Sequence, residues 1–275
     1  MPLFHSNFLS YTLKRAVEIN VIIPGITSTD SESETVTHKI PEKFPVLYLL
    51  HGYCNDYSVW ERYTSIERYA EERRIAVVTF SAENNYYLNM EDIMEESPIQ
   101  GIIRPDYTKF FEKELSEFVT SIFPISQKAQ DTYVAGLSMG GFGALHYGLR
   151  NSDKFRAIGS FSPLTTLTRK PYDSKNYDEV PNELRNYEPL YLIDQLLKES
   201  KPIPPIYYCY GGKDFLLEVQ EWFKKELDQR NLNYTFDYSD EFGHEWAFWD
   251  MQVRKFLDWI PRTDYYYKDA PIRTI

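Results

Sequence analysis

A serine flanked by glycines at fixed spacing constrains this chain more than any other feature. The letters GLSMG at positions 136–140 directly follow the short apolar run Thr132–Ala135. The stretch Ser138–Arg150 is rich in small residues and has the pattern of a helix. A G-x-S-x-G motif between a strand and a helix is typical of a sharp turn, because larger side chains at the glycine positions would collide with neighbouring strands. The sequence therefore predicts that the Ser138 hydroxyl projects from the carboxyl end of a strand.

Apolar runs and amphipathic stretches alternate along the rest of the chain. Predicted strands are Ala16–Pro24, Pro45–Leu50, Ile75–Phe80, Ala157–Ser162, Ile206–Tyr210 and, at one edge, Tyr234–Tyr238. Predicted helices are Ser58–Arg73, Pro105–Phe123, Asp214–Arg230 and Trp246–Ile260. Strands separated by helices imply a mostly parallel sheet with helices on both faces. Together with the serine turn, this order predicts the α/β class and, within it, the α/β-hydrolase fold.

The length of 275 residues and the hydrophobic content of 43% suit one α/β domain spanning residues 1–275. Two polar stretches interrupt the pattern. Ser28–Lys43 is predicted to be an exposed hairpin loop, and the segment 163–188 is predicted to be a loop or a small cap over the site. The tail Pro261–Ile275 has no clear periodicity, so no role is assigned to it.

The chain is acidic, with a formal net charge of −11. Without a basic patch, this charge argues against nucleic acid partners and against binding to anionic membrane surfaces. No run approaches the roughly 20 apolar residues of a membrane helix, and the N-terminus lacks the basic start and apolar stretch of a signal peptide. Cys54 and Cys209 are interpreted as free thiols in a reducing compartment. These features predict a cytoplasmic protein.

The general base is expected among the histidines that follow the serine. In this fold the acid and then the base follow the serine in chain order, and only His146 and His244 follow Ser138. His146 lies in the same helix as the serine, about 12 Å further along its axis, which is too far for its ring to reach the hydroxyl. His244 follows the last predicted strand, and Gly243 gives the backbone freedom to aim its ring. His244 is therefore the predicted base.

A carboxylate must hold the imidazole in one tautomer and stabilise its charged form. Asp214 follows the strand Ile206–Tyr210 and precedes His244, so it is the preferred candidate. Aspartate is also common at helix N-caps, which is the alternative role of this residue. Asp237 and Asp240 are rivals, less favoured because they lie on or just after a predicted edge strand.

Two backbone N–H groups are predicted to form an oxyanion hole. The first belongs to Met139, at a helix N-terminus where free N–H groups and the helix dipole favour negative charge. The second belongs to Tyr53, in the loop after the strand Pro45–Leu50, where this architecture supplies the second donor. His51, at the end of that strand, is then a structural residue.

Aromatic residues that follow strand ends are candidates for a substrate pocket. Tyr86 and Tyr87 follow the strand Ile75–Phe80, and Trp246 and Phe248 follow His244. Tyrosine and tryptophan combine an apolar ring with a polar tip, which suits a cleft. Each residue is explained equally well by ordinary packing, and both interpretations stay open.

Together these motifs resemble the putative esterase family of α/β-hydrolases, which includes tributyrin esterases, feruloyl esterases and S-formylglutathione hydrolases. The matching pieces are LYLLHG at 47–52, Trp60, AGLSMGGFGA at 135–144, GGKDFL at 211–216 and GHEWAFWD at 243–250. The resemblance implies hydrolysis of carboxylic esters with short acyl chains, and it implies the same triad and oxyanion donors. One departure is HGYCND at 51–56, where Asn55 stands at a usual glycine position; asparagine tolerates positive φ better than most residues.

The predicted reaction is acyl transfer through a serine ester, which needs no metal and no organic cofactor. The histidine and carboxylate spacings show no zinc pattern. The expected partner is a small ester, with acetyl, butyryl and feruloyl groups left open, and family analogy allows a homo-oligomer. Alternatives are a thioesterase of the S-formylglutathione hydrolase type and an acyltransferase with the same triad. A non-catalytic binding protein on this scaffold is least favoured, because all three triad candidates are present.

Overall fold

A mostly parallel sheet runs through the centre of the molecule. The computed structural model describes residues 1–27, 30–32, 34, 36–95, 103–168 and 170–267. Within these ranges the strands are β1 (Leu3–Ser10), β2 (Arg15–Ile22), β3 (Val46–Leu50), β4 (Ala76–Phe80), β5 (Thr132–Leu137), β6 (Ala157–Phe161), β7 (Ile206–Gly211) and β8 (Tyr234–Ser239). Their order across the sheet is β1-β2-β4-β3-β5-β6-β7-β8, and only the pairs β1–β2 and β2–β4 are antiparallel. The predicted α/β class is confirmed.

Helices cover both faces of this sheet. They are α1 (Val59–Tyr63), α2 (Ile66–Arg73), α3 (Tyr107–Lys109), a π-helical segment (Phe110–Leu115), α4 (Ser116–Ile122), α5 (Met139–Arg150), α6 (Asn182–Arg185), α7 (Pro189–Lys198), α8 (Leu217–Gln229) and α9 (Trp246–Trp259). α2 and α9 pack on one apolar core, whereas α5, α7 and α8 pack on the other. Among the described residues, every helix is too short or too polar to span a lipid bilayer.

The central strands are buried on both faces, as the continuous apolar runs predict. Every residue of β3, β4, β6 and β7 is buried. Along β3, Tyr48 and Leu50 belong to one core, whereas Leu47 and Leu49 belong to the other. This alternation follows from the two-residue period of a strand. The sheet therefore separates two apolar cores.

The predicted helix Ser58–Arg73 is wrong in one respect, because the structure divides it into α1 and α2. The interruption lies at Thr64, whose extended backbone ends α1. The Ser65 N–H donates to the carboxylate of Asp250 in α9 (2.9 Å), and the Tyr69 hydroxyl donates to the same group (3.0 Å). A distant carboxylate thus holds the start of α2, and the local sequence pattern contains no sign of that contact.

The N-terminal strand β1 was not predicted. It pairs with β2 as an antiparallel hairpin. Its turn is held by Glu114, a buried residue of the π-helical segment. The Glu114 carboxylate accepts hydrogen bonds from Ser10 Oγ (2.9 Å), Tyr11 N (2.7 Å) and Thr12 N (2.9 Å). The position of this hairpin therefore depends on a contact between parts of the chain that are far apart in sequence.

The prediction that Ser28–Lys43 is a hairpin loop is wrong. β2 pairs with β1 and β4 and not with β3, so the connection from β2 to β3 is a crossover. Its described part includes a single 3-10 turn at Asp30–Glu32. Positions 28, 29, 33 and 35 lie outside the described residues.

The segment 163–188, described except for position 169, connects β6 to α7. Glu188, at its end, is fully buried. Its carboxyl group accepts hydrogen bonds from Leu167 N (2.7 Å), Thr166 Oγ1 (3.0 Å) and Tyr172 OH (3.1 Å). Burial raises the pKa of Glu188 to about 7, and these donors offset part of that effect. One carboxyl group thus ties the two ends of the segment together.

Candidate active site

Ser138 occupies the turn between β5 and α5. Its backbone has φ 54° and ψ −118°, a region that residues other than glycine rarely adopt. The Ser138 N–H donates to the Phe161 carbonyl (2.9 Å), and the Ser138 carbonyl accepts from Phe142 N (3.1 Å) and Leu164 N (3.2 Å). Strained residues of this kind persist where their surroundings fix them, and they cluster at active sites.

The glycines of the serine motif allow the turn to pack against the end of β3. A Cβ at Gly136 would overlap the carbonyl of Gly140. A Cβ at Gly140 would lie 2.5 Å from the carbonyl oxygens of Leu50 and His51. Each collision is with backbone, which has little room to move, so both positions require glycine. The predicted collision with a neighbouring strand is therefore present at Gly140, beside the end of β3.

Asp214 and His244 lie at the carboxyl ends of β7 and β8 and contact each other directly. His244 Nδ1 is 3.0 Å from Asp214 Oδ1 and 2.9 Å from Oδ2. The Asp214 side chain is fully buried, and it also accepts a hydrogen bond from Leu216 N (2.9 Å). Burial acts to raise the pKa of Asp214, but the hydrogen bond and charge of His244, together with the Leu216 N–H, hold the pKa below its usual value. The carboxylate is therefore ionised at neutral pH and can orient the imidazole.

The two rival carboxylates have other partners. Asp237 accepts hydrogen bonds from Tyr207 OH (2.9 Å) and Lys255 Nζ (2.6 Å). Asp240 accepts from the hydroxyl of Tyr238 (2.6 Å). The alternative role of Asp214 is only partly realised, because the N-cap of α8 is Leu216 rather than Asp214. Geometry favours Asp214 over both rivals as the partner of the imidazole.

His146, the other histidine after the serine, is fully buried in α5. Its ring lies 5.0 Å from the Tyr187 ring and 4.9 Å from the Tyr147 ring. Burial, with a smaller contribution from Arg150, lowers the pKa of His146 to about 3, so it is neutral. It is a packed core residue, as its distance from Ser138 along the helix implies.

Two aromatic rings that sequence reasoning missed contact the His244 imidazole. The buried ring of Trp249 meets it edge-on, with centroids 4.9 Å apart. The exposed ring of Phe215 lies against it at 4.5 Å. Trp249 belongs to the motif GHEWAFWD, and Phe215 belongs to the motif GGKDFL. Their presence in those motifs was the available signal, but sequence alone does not show that their rings meet the histidine.

Among the described residues, no hydrogen bond joins the Ser138 hydroxyl to the His244 ring. Hydrogen bonds between nucleophile and base are often long in unliganded enzymes and shorten when substrate binds. Because Nδ1 of His244 faces Asp214, the nitrogen left for the serine is Nε2. The strand ends place both residues at the same edge of the sheet.

The loop after β3 passes directly beside the serine. A Cβ at Gly52 would lie 2.5 Å from the Leu137 side chain and 3.4 Å from Ser138 Cβ. Tyr53, the next residue, is 52% exposed. Within the described ranges, no hydrogen bond uses the N–H of Tyr53 or the N–H of Met139. Both groups are therefore available as hydrogen-bond donors.

His51 fixes this loop through both ring nitrogens. Nδ1 lies 2.7 Å from the Gly52 carbonyl oxygen, and Nε2 accepts a hydrogen bond from Ala82 N (2.9 Å). Burial lowers the pKa of His51 to about 4, although the Gly52 carbonyl opposes that shift. The ring is therefore neutral, with its proton on Nδ1. The Tyr87 hydroxyl adds a hydrogen bond to the His51 carbonyl (2.9 Å).

The positive φ in this loop belongs to Cys54 (61°) and not to Asn55. The Cys54 N–H donates to the side chain of Asn84 (2.7 Å), which holds that conformation. The Asn55 amide donates to the Tyr53 carbonyl (3.1 Å). The departure at Asn55 is accommodated because the residue before it makes the turn.

The four aromatic pocket candidates divide into two pairs. Tyr87 and Phe248 are fully buried in the apolar cores, so neither contributes exposed surface. Tyr86 is partly exposed, and its ring lies 6.1 Å from the Tyr53 ring. Trp246 is also partly exposed and stacks on Tyr63. The two pairs differ in burial although their local sequence contexts are similar, because burial depends on packing against distant segments.

A small apolar cluster lies beside the serine turn, and Tyr86 is the one member that sequence reasoning named. Its buried members are Leu88, Phe142 and Tyr187, and partly exposed residues packed against it include Tyr86, Leu164 and Leu167. The hydrogen bond from Leu164 N to the Ser138 carbonyl places this surface beside the serine.

Residues 35–260 match the protein family described as Putative esterase, which is most of the chain. The chain belongs to this family. The esterase is 28% identical over 277 residues to an acetyl esterase of Caldicellulosiruptor saccharolyticus, with 95% of this chain and 99% of the relative covered.

Solved structures place the esterase among serine hydrolases. It is 27% identical to the fluorophosphonate-binding serine hydrolase F of Staphylococcus aureus, with a TM-score of 0.78 over 94% of this chain and 97% of the other. It is 28% identical to the S-formylglutathione hydrolase of the same organism, with a TM-score of 0.74 over 94% and 99% of the two chains. The predicted α/β-hydrolase fold and the predicted class, a serine hydrolase acting on carboxylic esters, are confirmed.

Proposed function

We propose that Ser138, His244 and Asp214 form a catalytic triad that hydrolyses short-chain carboxylic esters through a serine ester. The observation that carries this proposal is the contact between Asp214 and His244 at the strand ends beside the strained Ser138 turn. An ionised carboxylate on Nδ1 leaves Nε2 unprotonated and directed away from Asp214, which is the state that a general base needs.

The reaction proceeds in two additions to the acyl carbon. Ser138 Oγ bonds to that carbon while its proton passes to His244 Nε2, and the carbonyl electron pair moves onto oxygen. Collapse of this intermediate breaks the bond to the alcohol oxygen, which takes the proton from His244. Water then adds in the same way, and Ser138 recovers its proton as the acid leaves.

The N–H groups of Tyr53 and Met139 would bind the oxyanion of both intermediates. Support comes from the close approach of the Gly52 loop to Ser138 and, among the described residues, from the unpaired N–H of Met139 at the start of α5. Losing one donor of this kind typically costs about 3 kcal/mol of transition-state stabilisation. The His51 hydrogen bonds keep the Tyr53 loop in place before substrate binds.

The acyl group would lie on the apolar surface that includes Tyr86, Leu164 and Leu167. This surface supports acetyl or other short acyl groups, in agreement with the acetyl esterase relative. Thioester hydrolysis is the second candidate, since identity to an S-formylglutathione hydrolase is equally high. Both reactions would use the same three side chains.

The test compares purified wild type with Ser138→Ala on p-nitrophenyl acetate, butyrate and octanoate and on S-formylglutathione. We expect wild-type turnover to fall with acyl length and Ser138→Ala to lose at least about 10⁴-fold in kcat. A fluorophosphonate probe should add its phosphonyl group to the Ser138 peptide of the wild type only.

Ser121→Ala is the matched control, because Ser121 is an exposed serine of α4. Full turnover by Ser138→Ala with an unchanged melting temperature would remove Ser138 as the nucleophile. Faster turnover of S-formylglutathione than of every oxygen ester would replace the esterase by the thioesterase.

We also propose that the protein is a single domain that acts in the cytoplasm, with the segment 163–188 as a small cap. Cys54 is exposed and Cys209 buried, and both are free, which suits a reducing compartment. The contact of Leu164 with Ser138 and the anchoring by Glu188 support the cap. A homo-oligomer and the absence of nucleic acid partners stay predictions, which light scattering and a DNA-binding assay would check.

A further inference from the structure

Phe215 is 77% exposed, although it follows the buried Asp214 directly. An exposed phenylalanine by itself needs no explanation, but this one contacts the candidate general base. Its ring centroid lies 4.5 Å from that of His244, with the two planes tilted by 53°. The ring therefore combines an open apolar face with direct contact to the imidazole.

The backbone around Phe215 is fixed by hydrogen bonds on both sides. Asp214 N donates to the Gly211 carbonyl (3.1 Å), and Leu217 N donates to the Asp214 carbonyl (3.1 Å). Leu216 N donates to the Asp214 carboxylate (2.9 Å). The exposed ring thus lies on a hydrogen-bonded turn between β7 and α8. Ligand binding there would not require the backbone to become ordered.

The chemistry decides which part of a substrate meets this ring. His244 Nε2 gives its proton to the oxygen of the departing alcohol, so that oxygen must lie next to the imidazole. In the proposed function the acyl group, bonded to Ser138, lies on the apolar surface that includes Leu164. The alcohol portion of the ester therefore leaves the site past the imidazole, which Phe215 contacts from the solvent side.

We infer that Phe215 is a specificity-determining residue that binds the alcohol portion of the substrate. Resting on the proposed function, this assignment names the substrate class as esters of alcohols that carry a ring with a flat apolar face. An aromatic ring prefers such a partner because stacked and edge-on contacts add to the burial of apolar area. A short alkyl alcohol is too small to cover the ring.

A purely structural role predicts a different outcome. Trp249 already contacts His244 from the buried side, with centroids 4.9 Å apart. If Phe215 only held the imidazole in place, its loss would lower kcat for every ester by the same factor and move the pH profile. A specificity residue instead changes the ratio between substrates and mainly raises KM.

The experiment measures kcat and KM for Phe215→Ala on ethyl acetate and benzyl acetate, which share the acyl group and have alcohols of similar basicity. We expect kcat/KM for benzyl acetate to fall about three- to tenfold, mostly through KM. For ethyl acetate we expect less than about a twofold change, and Phe215→Tyr should restore the wild-type ratio.

Phe4→Ala is the matched control, because Phe4 is a phenylalanine of β1 with 44% exposure. It should leave the ratio unchanged. Equal losses on both esters, or no loss on either, would overturn the inference while leaving the triad intact. If wild type hydrolyses neither ester nor the other esters of the panel, the proposed function itself fails, so the two failures are distinguishable.

Discussion

Asp214 and Glu188 are both buried carboxyl groups, but they lie in regions whose hydrogen-bond donors differ. Asp214, after β7, meets the imidazole of His244 and one backbone N–H. Glu188, at the end of the segment 163–188, meets two hydroxyls and one backbone N–H, all of them neutral. Burial raises the pKa of Glu188 to about 7, whereas the pKa of Asp214 lies below its usual value.

The difference shows that burial alone does not set the charge of a carboxyl group in this protein. Desolvation opposes ionisation in both regions. A partner that can itself become positive reverses the outcome at Asp214, and neutral donors reduce the effect at Glu188 without reversing it. The first region is therefore suited to stabilise a charge that develops during a reaction, and the second region is suited to hold a segment in place.

Removing the charge at Asp214 should give the largest effect. Asp214→Asn keeps the shape of the side chain but favours the wrong imidazole tautomer, so we expect kcat on p-nitrophenyl acetate to fall about 10⁴-fold. Asp240→Asn, which changes a carboxylate bonded to Tyr238, should stay within about twofold of wild type. A large loss in Asp240→Asn alone would reverse the assignment of the acid.

Replacing the titratable carboxyl group of Glu188 should change the free energy of unfolding rather than turnover. The folded wild type keeps its proton up to a pH of about 7, whereas the unfolded chain loses it near 4.5, the ordinary pKa of the group. Stability therefore falls as pH rises between these values. Glu188→Gln should lack this component, a difference on the order of 3 kcal/mol between about pH 4 and pH 8.

Urea unfolding at the two pH values measures this difference directly. Glu183→Gln is the matched control, because Glu183 is an exposed glutamate of α6. The same pH dependence in Glu188→Gln as in wild type would mean that Glu188 is ionised in the folded protein, and the contrast with Asp214 would disappear.

Removing one hydrogen-bond donor to Glu188 should give the smallest effect. Tyr172→Phe removes the hydroxyl that donates to this carboxyl group (3.1 Å), so we expect a loss of about 1 kcal/mol. Because that hydroxyl favours the ionised form, the pKa of Glu188 should rise further. Tyr177→Phe, which removes a hydroxyl bonded to Asp194, should leave the titration of Glu188 unchanged. An unchanged unfolding profile in Tyr172→Phe would show that this donor does not act on Glu188.

Sequence reasoning succeeded for features that are encoded locally or by chain order. The apolar runs predicted the central strands, because a strand that is buried on both faces consists almost entirely of apolar residues. The glycines at 136 and 140 predicted the serine turn, because backbone contact leaves no space for Cβ. The order of Ser138, Asp214 and His244 predicted which histidine meets which carboxylate, since parallel strands end at one edge.

The remaining features depend on groups far apart in the chain. The contact between Ser65 and Asp250 divides a predicted helix, and the contact between Ser10 and Glu114 holds an unpredicted hairpin. The same holds for the burial of Tyr87 and for the ring of Phe215 against His244. The sequence alone determined where the serine turn can form and in which order Asp214 and His244 follow it. Only the tertiary structure decided which side chains are buried and which charges they meet, because desolvation and hydrogen bonding depend on neighbours that no local pattern specifies.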